Sequence, residues 1–147
     1  GMEVIYTARS DKDPGFPAQR VTLEELLSRA DFSVVAMPAS PETHHMIDAE
    51  ALARMPRRAH LINIARGDII DEAALIAALQ EGRIAGAGLD VYEHEPDVPD
   101  ALKALENVVL LPHMGTSTLE VREKMGAVVV ENLRAALTGE TPPNLVD

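Results

Sequence analysis

Along this chain, short runs of β-branched and aliphatic residues alternate with stretches whose apolar positions recur at helical spacing. That alternation predicts an α/β protein with a mainly parallel sheet. A first strand is expected over Glu3 to Thr7, followed by a Gly/Pro-rich loop from Asp11 to Pro17. Thr22 and Glu25 have the spacing of a capping box, so a short helix should open there and end near Ala30. Ser33 to Met37 reads as the second strand, closed by Pro38 and Pro41. Asp48 looks like the N-cap of a helix that Pro56 ends, and His60 to Ile64 is the third strand. Asp71 should cap a helix running through Gln80, with Leu75 and Leu79 on one face and Gly82 as its stop. Ile84 to Leu89 and Val108 to Leu111 are further strands. A last helix is expected from about Ser117 to Leu137, with Met125, Val129, Leu133 and Leu137 as its apolar stripe and Gly139 as its end. The sequence shows no internal repeat, low-complexity tract or linker, so a single domain is expected. The runs Val34–Ala36 and Leu61–Ile64 are continuously apolar, which predicts helices on both faces of the sheet.

Composition narrows the function. The 147 residues are 46% hydrophobic and 25% charged, which excludes a disordered or fibrous chain. Thirteen Lys and Arg against 24 Asp and Glu give a net charge of −11, the wrong sign for following a phosphate backbone, so no nucleic-acid partner is expected. No apolar run is long enough to span a bilayer and the first residues lack signal-peptide character, so the expected location is cytoplasmic with no membrane partner. The sequence has no Cys, which removes thiolate catalysis and Cys-ligated metals.

In open parallel sheets, ligands sit at the carboxyl ends of the strands. Arg9, Arg66, Asp90, Glu95 and His113 all fall there in the expected arrangement. Arg66 stands in a turn where its guanidinium fork could receive a carboxylate through two parallel hydrogen bonds; the alternatives are capping of carbonyls or a pair with Asp68. His113, at a strand exit before the long helix, is suited to proton transfer near neutrality, or is a structural histidine. A carboxylate such as Glu95 beside it would favour the imidazolium and fix its tautomer. Glu93 and His94 raise the option of a metal site, but no helical His-x-x-x-His or repeated acidic spacing supports it, and no metal is expected. His44 and His45 read as solvated or lining residues of a turn. Arg9 and Ser10 close the first strand; in dinucleotide-binding folds an Arg at such a strand end receives the 2′-phosphate of NADP, where an acid would receive the 2′-hydroxyl of NAD.

Three ordered blocks, Leu61 to Leu75, Gly82 to Pro96 and Leu111 to Thr118, resemble the signature segments of the NAD(P)-dependent D-isomer-specific 2-hydroxyacid dehydrogenases. The likeness extends to Pro38, to Pro41–His44 and to the closing Pro143–Val146. The stretch Tyr6 to Ser10 is most similar to the glyoxylate/hydroxypyruvate reductases of that family, whereas formate dehydrogenases usually carry Gln where Glu95 stands. The resemblance implies a Rossmann-like, doubly wound sheet and an oxidoreductase that passes a hydride between NAD(P)H and a small 2-oxoacid. NADP is the preferred cofactor, with NAD possible. Arg66 would hold the substrate, His113 would protonate its keto oxygen, and Glu95 would keep His113 protonated. Arg9, Ser10, Pro38, Ile64, Ala65, Asp90, His113 and Gly115 would contact the cofactor, Asp90 through the nicotinamide carboxamide and Gly115 by allowing close backbone approach.

The family's Gly-x-Gly-x-x-Gly turn and the strand before it are absent from these residues, as is the substrate domain. Residues 1–147 therefore read as part of a cofactor-binding domain whose central strand is missing. The gap could close by direct pairing of the strands on either side, or by dimerisation, and the expected partners are a second copy or the remaining parts of the enzyme. The alternative reading is a truncated, non-catalytic module for dinucleotide sensing or protein interaction.

Overall fold

The computed structural model describes residues 1–146 and divides into two compact units, one over residues 1–112 and one that starts at His113. In the first unit, β1 (Ile5–Tyr6) pairs in parallel with β2 (Gln19–Arg20). The remaining strands are β3 (Phe32–Val35), β4 (His60–Asn63), β5 (Gly86–Leu89) and β6 (Val108–Leu110). They form a separate parallel sheet in the order β3–β4–β5–β6. Direct pairing across the gap does not occur among the described residues: β1 pairs with β2, and β3 is an edge of the larger sheet.

The helices begin where their caps dictate. Thr22 Oγ1 accepts from Glu25 N ahead of α1 (Leu23–Arg29), Asp48 from Ala51 N ahead of α2 (Ala49–Arg54), and Asp71 from Ala74 N ahead of α3 (Glu72–Gln80). Arg83, whose guanidinium donates to the Ala53 and Met55 carbonyls, closes the far end of α2. A one-turn α4 (Asp100–Lys103) follows Pro99.

Leu27 of α1, Leu52 of α2 and Leu75 and Leu79 of α3 pack on Val35, Leu61, Ala87 and Leu89 of the sheet. Each such buried Leu contributes roughly 1.5–3 kcal/mol. The opposite face carries Phe32, Val34 and Val109, which are 60%, 55% and 64% exposed. Helices on both faces were expected from the apolar runs. Within this unit α1, α2 and α3 cover one face, because the helical segments between its parallel strands all pack on the same core.

The second unit is dominated by α5 (Leu119–Thr138), capped by Thr118 Oγ1 and ended by Gly139 at φ +79°. Its expected stripe exists, yet Met125, Val129, Leu133 and Leu137 are exposed, and Ala135 is the helix's buried residue.

Candidate active site

The turn after β4 is shaped by Asn63, a polar residue buried to 1% exposure on the core face of its strand. A buried amide has to satisfy its donors and acceptors internally. Asn63 does so by accepting from Ala65 N at 3.0 Å and donating to the Arg66 carbonyl at 2.9 Å. Both bonds tie the turn that presents Arg66. The Arg66 side chain is exposed, and its Nη1 donates to the Ala65 carbonyl at 2.6 Å, the carbonyl-capping option. Asp68 contributes through its backbone, accepting from His45 N at 2.8 Å.

Gly67 follows Arg66 and explains how this turn meets the segment after β5. A Cβ at that position would sit 1.9 Å from the Tyr92 carbonyl carbon and 2.4 Å from Glu93 N. Only a glycine allows two backbones to approach so closely. Tyr92 is itself fixed: its hydroxyl donates to the Leu111 carbonyl at 2.8 Å, and its N–H donates to Glu95 Oε1 at 3.1 Å. Burial raises the Tyr92 phenol above its usual pKa. Asp90, half-buried, is bound to Asn63 O through its backbone N–H at 3.0 Å. Arg66, Asp90 and Glu95 are thereby carried by two adjoining turns at one end of the sheet.

A depression of about 480 Å³ opens beside Arg66, lined by Ala36, Met37, Pro38, Ala39, Ile64, Ala65 and Arg66. Its walls are small or apolar with a guanidinium at the edge. The expected contacts Pro38, Ile64 and Ala65 all belong to it.

Arg9 and Ser10 follow β1 and are exposed. Arg9 Nη2 lies 3.7 Å from Glu42 Oε2, a surface pair worth little in water. The Glu42 carboxyl lies below its ordinary range, chiefly through a hydrogen bond from Ser40. Arg20 was missed by the sequence reading. It donates from Nη2 to the Ala8 carbonyl at 2.7 Å and to the Arg9 carbonyl at 3.2 Å, so it shapes the turn on which Arg9 stands. His113 and Gly115 lie in the second unit, ahead of α5; His113 is exposed and has φ +53°.

His44 is exposed and lines a second depression with Ser40, Pro41 and Asp68. His45 is not simply solvated: it is half-buried, with Nε2 3.0 Å from Glu93 Oε1. Glu72 completes this neighbourhood, accepting from Glu93 N at 3.4 Å, with its carboxyl raised first by burial and further by the charge of Glu93.

A parallel α/β sheet with a nucleotide-sized depression at its strand ends defines the class: a Rossmann-like dinucleotide-binding fold. Residues 1–115 match the family model of the D-isomer specific 2-hydroxyacid dehydrogenase, NAD binding domain, and the chain belongs to that family. It is 47% identical to a glyoxylate reductase of Thermococcus onnurineus over 150 aligned residues, covering 100% of this chain and 45% of that protein. It is 46% identical to glyoxylate/hydroxypyruvate reductase B of Erwinia tasmaniensis, covering 100% and 47% of the two chains. Among solved structures, the TT0316 protein of Thermus thermophilus superposes with a TM-score of 0.93 at 47% identity, covering 100% of this chain and 47% of that one. The NADPH-dependent glyoxylate/hydroxypyruvate reductase of Sinorhizobium meliloti, in complex with NADP and malonate, superposes with a TM-score of 0.87 at 40% identity, covering 92% and 42%. The chain thus spans a little under half the length of these relatives.

Proposed function

We propose that this chain is the cofactor-binding portion of a reductase that converts a small 2-oxoacid, such as glyoxylate or hydroxypyruvate, to the 2-hydroxyacid, with NADPH preferred over NADH. The observation that carries the reading is the junction at Gly67, which sets the Arg66 turn directly against the Tyr92–Glu95 segment beside a nucleotide-sized depression. The similarity to glyoxylate reductases supports the substrate class.

A nicotinamide nucleotide would supply the hydride. Arg66, released from the Ala65 carbonyl, receives the substrate carboxylate and keto oxygen, which fixes the carbonyl carbon in position. His113 is assigned as the proton donor to the keto oxygen and Glu95 as the supporting carboxylate. Pro38, Ile64 and Ala65 would pack on the cofactor, Asp90 would bind its carboxamide, and Gly115 would let the protein backbone approach it. Arg9 and Ser10 would hold the 2′-phosphate. The reading includes a cytoplasmic location and association with a second copy or with the remaining parts of the enzyme.

The test is glyoxylate- and hydroxypyruvate-dependent oxidation of NADPH by the complete protein that contains this chain, compared with NADH. Turnover with a higher kcat/KM for NADPH is expected, and Arg66→Ala should lower kcat/KM. A complete protein that oxidises neither nucleotide with either acid, and gains no thermal stability from them, would overturn the reading in favour of a non-catalytic module.

A further inference from the structure

Two loops that the sequence keeps 48 residues apart meet at the border of the proposed active site. The turn Pro41–His45 follows β3, and its shape is fixed by Thr43, a buried residue. Thr43 Oγ1 accepts from Ser40 N at 2.8 Å and donates to the Pro38 carbonyl at 3.2 Å. At the end of the turn His45 adopts φ +49°, in the left-handed region that few residues other than glycine enter, and its N–H is held by the Asp68 carbonyl at 2.8 Å. That backbone leaves the imidazoles of His44 and His45 stacked, with centroids 4.0 Å apart. Glu93 approaches from the segment after β5, where the Gly67 contact and the Glu72 carboxylate fix its backbone.

One ligand atom from each of His44, His45 and Glu93 lies within 4.8 Å of the other two. In a tetrahedral zinc site with bonds near 2.0 Å, neighbouring ligand atoms stand roughly 3.3 Å apart. The His45 to Glu93 distance of 3.0 Å is already close to that, so the rearrangement falls on His44, whose ring has to leave its stack on His45 and turn an in-plane nitrogen towards the ion. His44 is exposed and outside the core, so its ring can be reoriented without disturbing the core. Two imidazoles and a carboxylate form the donor set of a borderline divalent cation, with the remaining position open to water. A hard cation such as Mg²⁺ prefers all-oxygen ligands.

We propose that His44, His45 and Glu93 bind a divalent cation of the zinc class, in the loop junction between β3 and β5. The ion takes the place of the proton shared by His45 and Glu93. It ties the β3 turn to the segment that carries Glu95. This inference is independent of the reductase reading, since none of the three ligands takes part in the proposed reduction.

The experiment is zinc titration of the untagged full 147-residue chain after dialysis against a chelator, read by competition with a chromophoric chelator and by thermal denaturation. One equivalent should bind in the micromolar range or tighter and raise Tm, with no response to Mg²⁺. Glu93→Gln and His44→Gln should each weaken binding by at least about tenfold. His45→Asn should do the same, and Asn was chosen because it tolerates the left-handed backbone. His94→Gln, next in sequence but outside the cluster, should bind as the parent does. Cobalt in place of zinc should give visible d–d absorption that Glu93→Gln abolishes. Absence of stoichiometric zinc binding by the parent chain would overturn the proposal, as would equal affinity in the Glu93→Gln and His44→Gln variants. His44→Gln lies on the surface, so it decides the matter even if the His45 variant misfolds.

Discussion

Replacing Gly67 by Ala tests the central contact of the candidate site. The added Cβ would lie 1.9 Å from the Tyr92 carbonyl carbon, 2.0 Å from its oxygen and 2.4 Å from Glu93 N. Ordinary contact between such atoms begins near 3.4 Å, so the two turns have to part by roughly 1.5 Å. Neither side is a flexible side-chain tip that can swing away; both are backbone. Overpacking of a well-filled site typically costs 1–3 kcal/mol, and a backbone clash belongs at about 3 kcal/mol. Against this, the loss of unfolded-state entropy from Gly to Ala returns about 0.4–1 kcal/mol. The net destabilisation is therefore about 2 kcal/mol, a substantial part of a typical domain's stability. Urea unfolding followed by circular dichroism measures it, and near-ultraviolet tyrosine signals add a local probe, since the chain has no Trp and only two Tyr. Gly126→Ala is the matching control: it sits in the middle of α5, and an added Cβ there meets nothing within 4 Å. It should be stabilising by roughly 0.5–1 kcal/mol. If Gly67→Ala unfolds at the same urea concentration as the parent, the close approach is not what holds the two turns together.

Other substitutions probe single groups. Tyr92→Phe removes the donor to the Leu111 carbonyl and leaves that acceptor in a partly buried place, so urea unfolding should show a loss of about 1 kcal/mol; no loss would mean that the hydroxyl is dispensable. In the complete protein that contains this chain, Arg9→Asp should shift the kcat/KM preference from NADPH towards NADH, and an unchanged ratio would place the 2′-phosphate elsewhere. His113→Asn keeps a residue tolerant of the positive φ while removing the imidazole, and should lower kcat by about 100- to 10,000-fold. Near-normal turnover of that variant would end its role as proton donor.

The elements that were legible in the sequence are those with a local signal. The caps Thr22, Asp48 and Asp71 each accept from the expected backbone N–H, and Gly139 ends α5 in the left-handed conformation. Strand β2 was not legible, because Gln19 and Arg20 carry neither alternation nor β-branched residues and owe their pairing to β1 alone. The turn Gly67–Ile69 and the helix α4 are too short for any periodicity to register. Of the helices expected on both faces, the first unit itself supplies those on one, α1, α2 and α3. A continuous apolar run says that neither face of a strand is polar, and it does not say what lies on each: Val35 meets the core while Val34, one residue away, is exposed.

The site divides in the same way. Arg66 and Glu95 could be singled out because strand ends are where parallel sheets place chemistry. What holds them was not visible. Asn63 looked like one more residue of an apolar strand, although a lone amide on the buried face of such a strand has to bond its own turn, and this is the signal that could have found it. Gly67 is indistinguishable in sequence from any turn glycine until the Tyr92 backbone is seen against it. The same limit applies to His44, His45 and Glu93. Metal-ligand patterns are legible when helical spacing puts ligands on one face, and here two loops distant in sequence supply them, so that only the fold reveals the cluster. Candidate side chains can thus be singled out by position along a strand, while the contacts between loops that hold their turns are encoded by no local pattern.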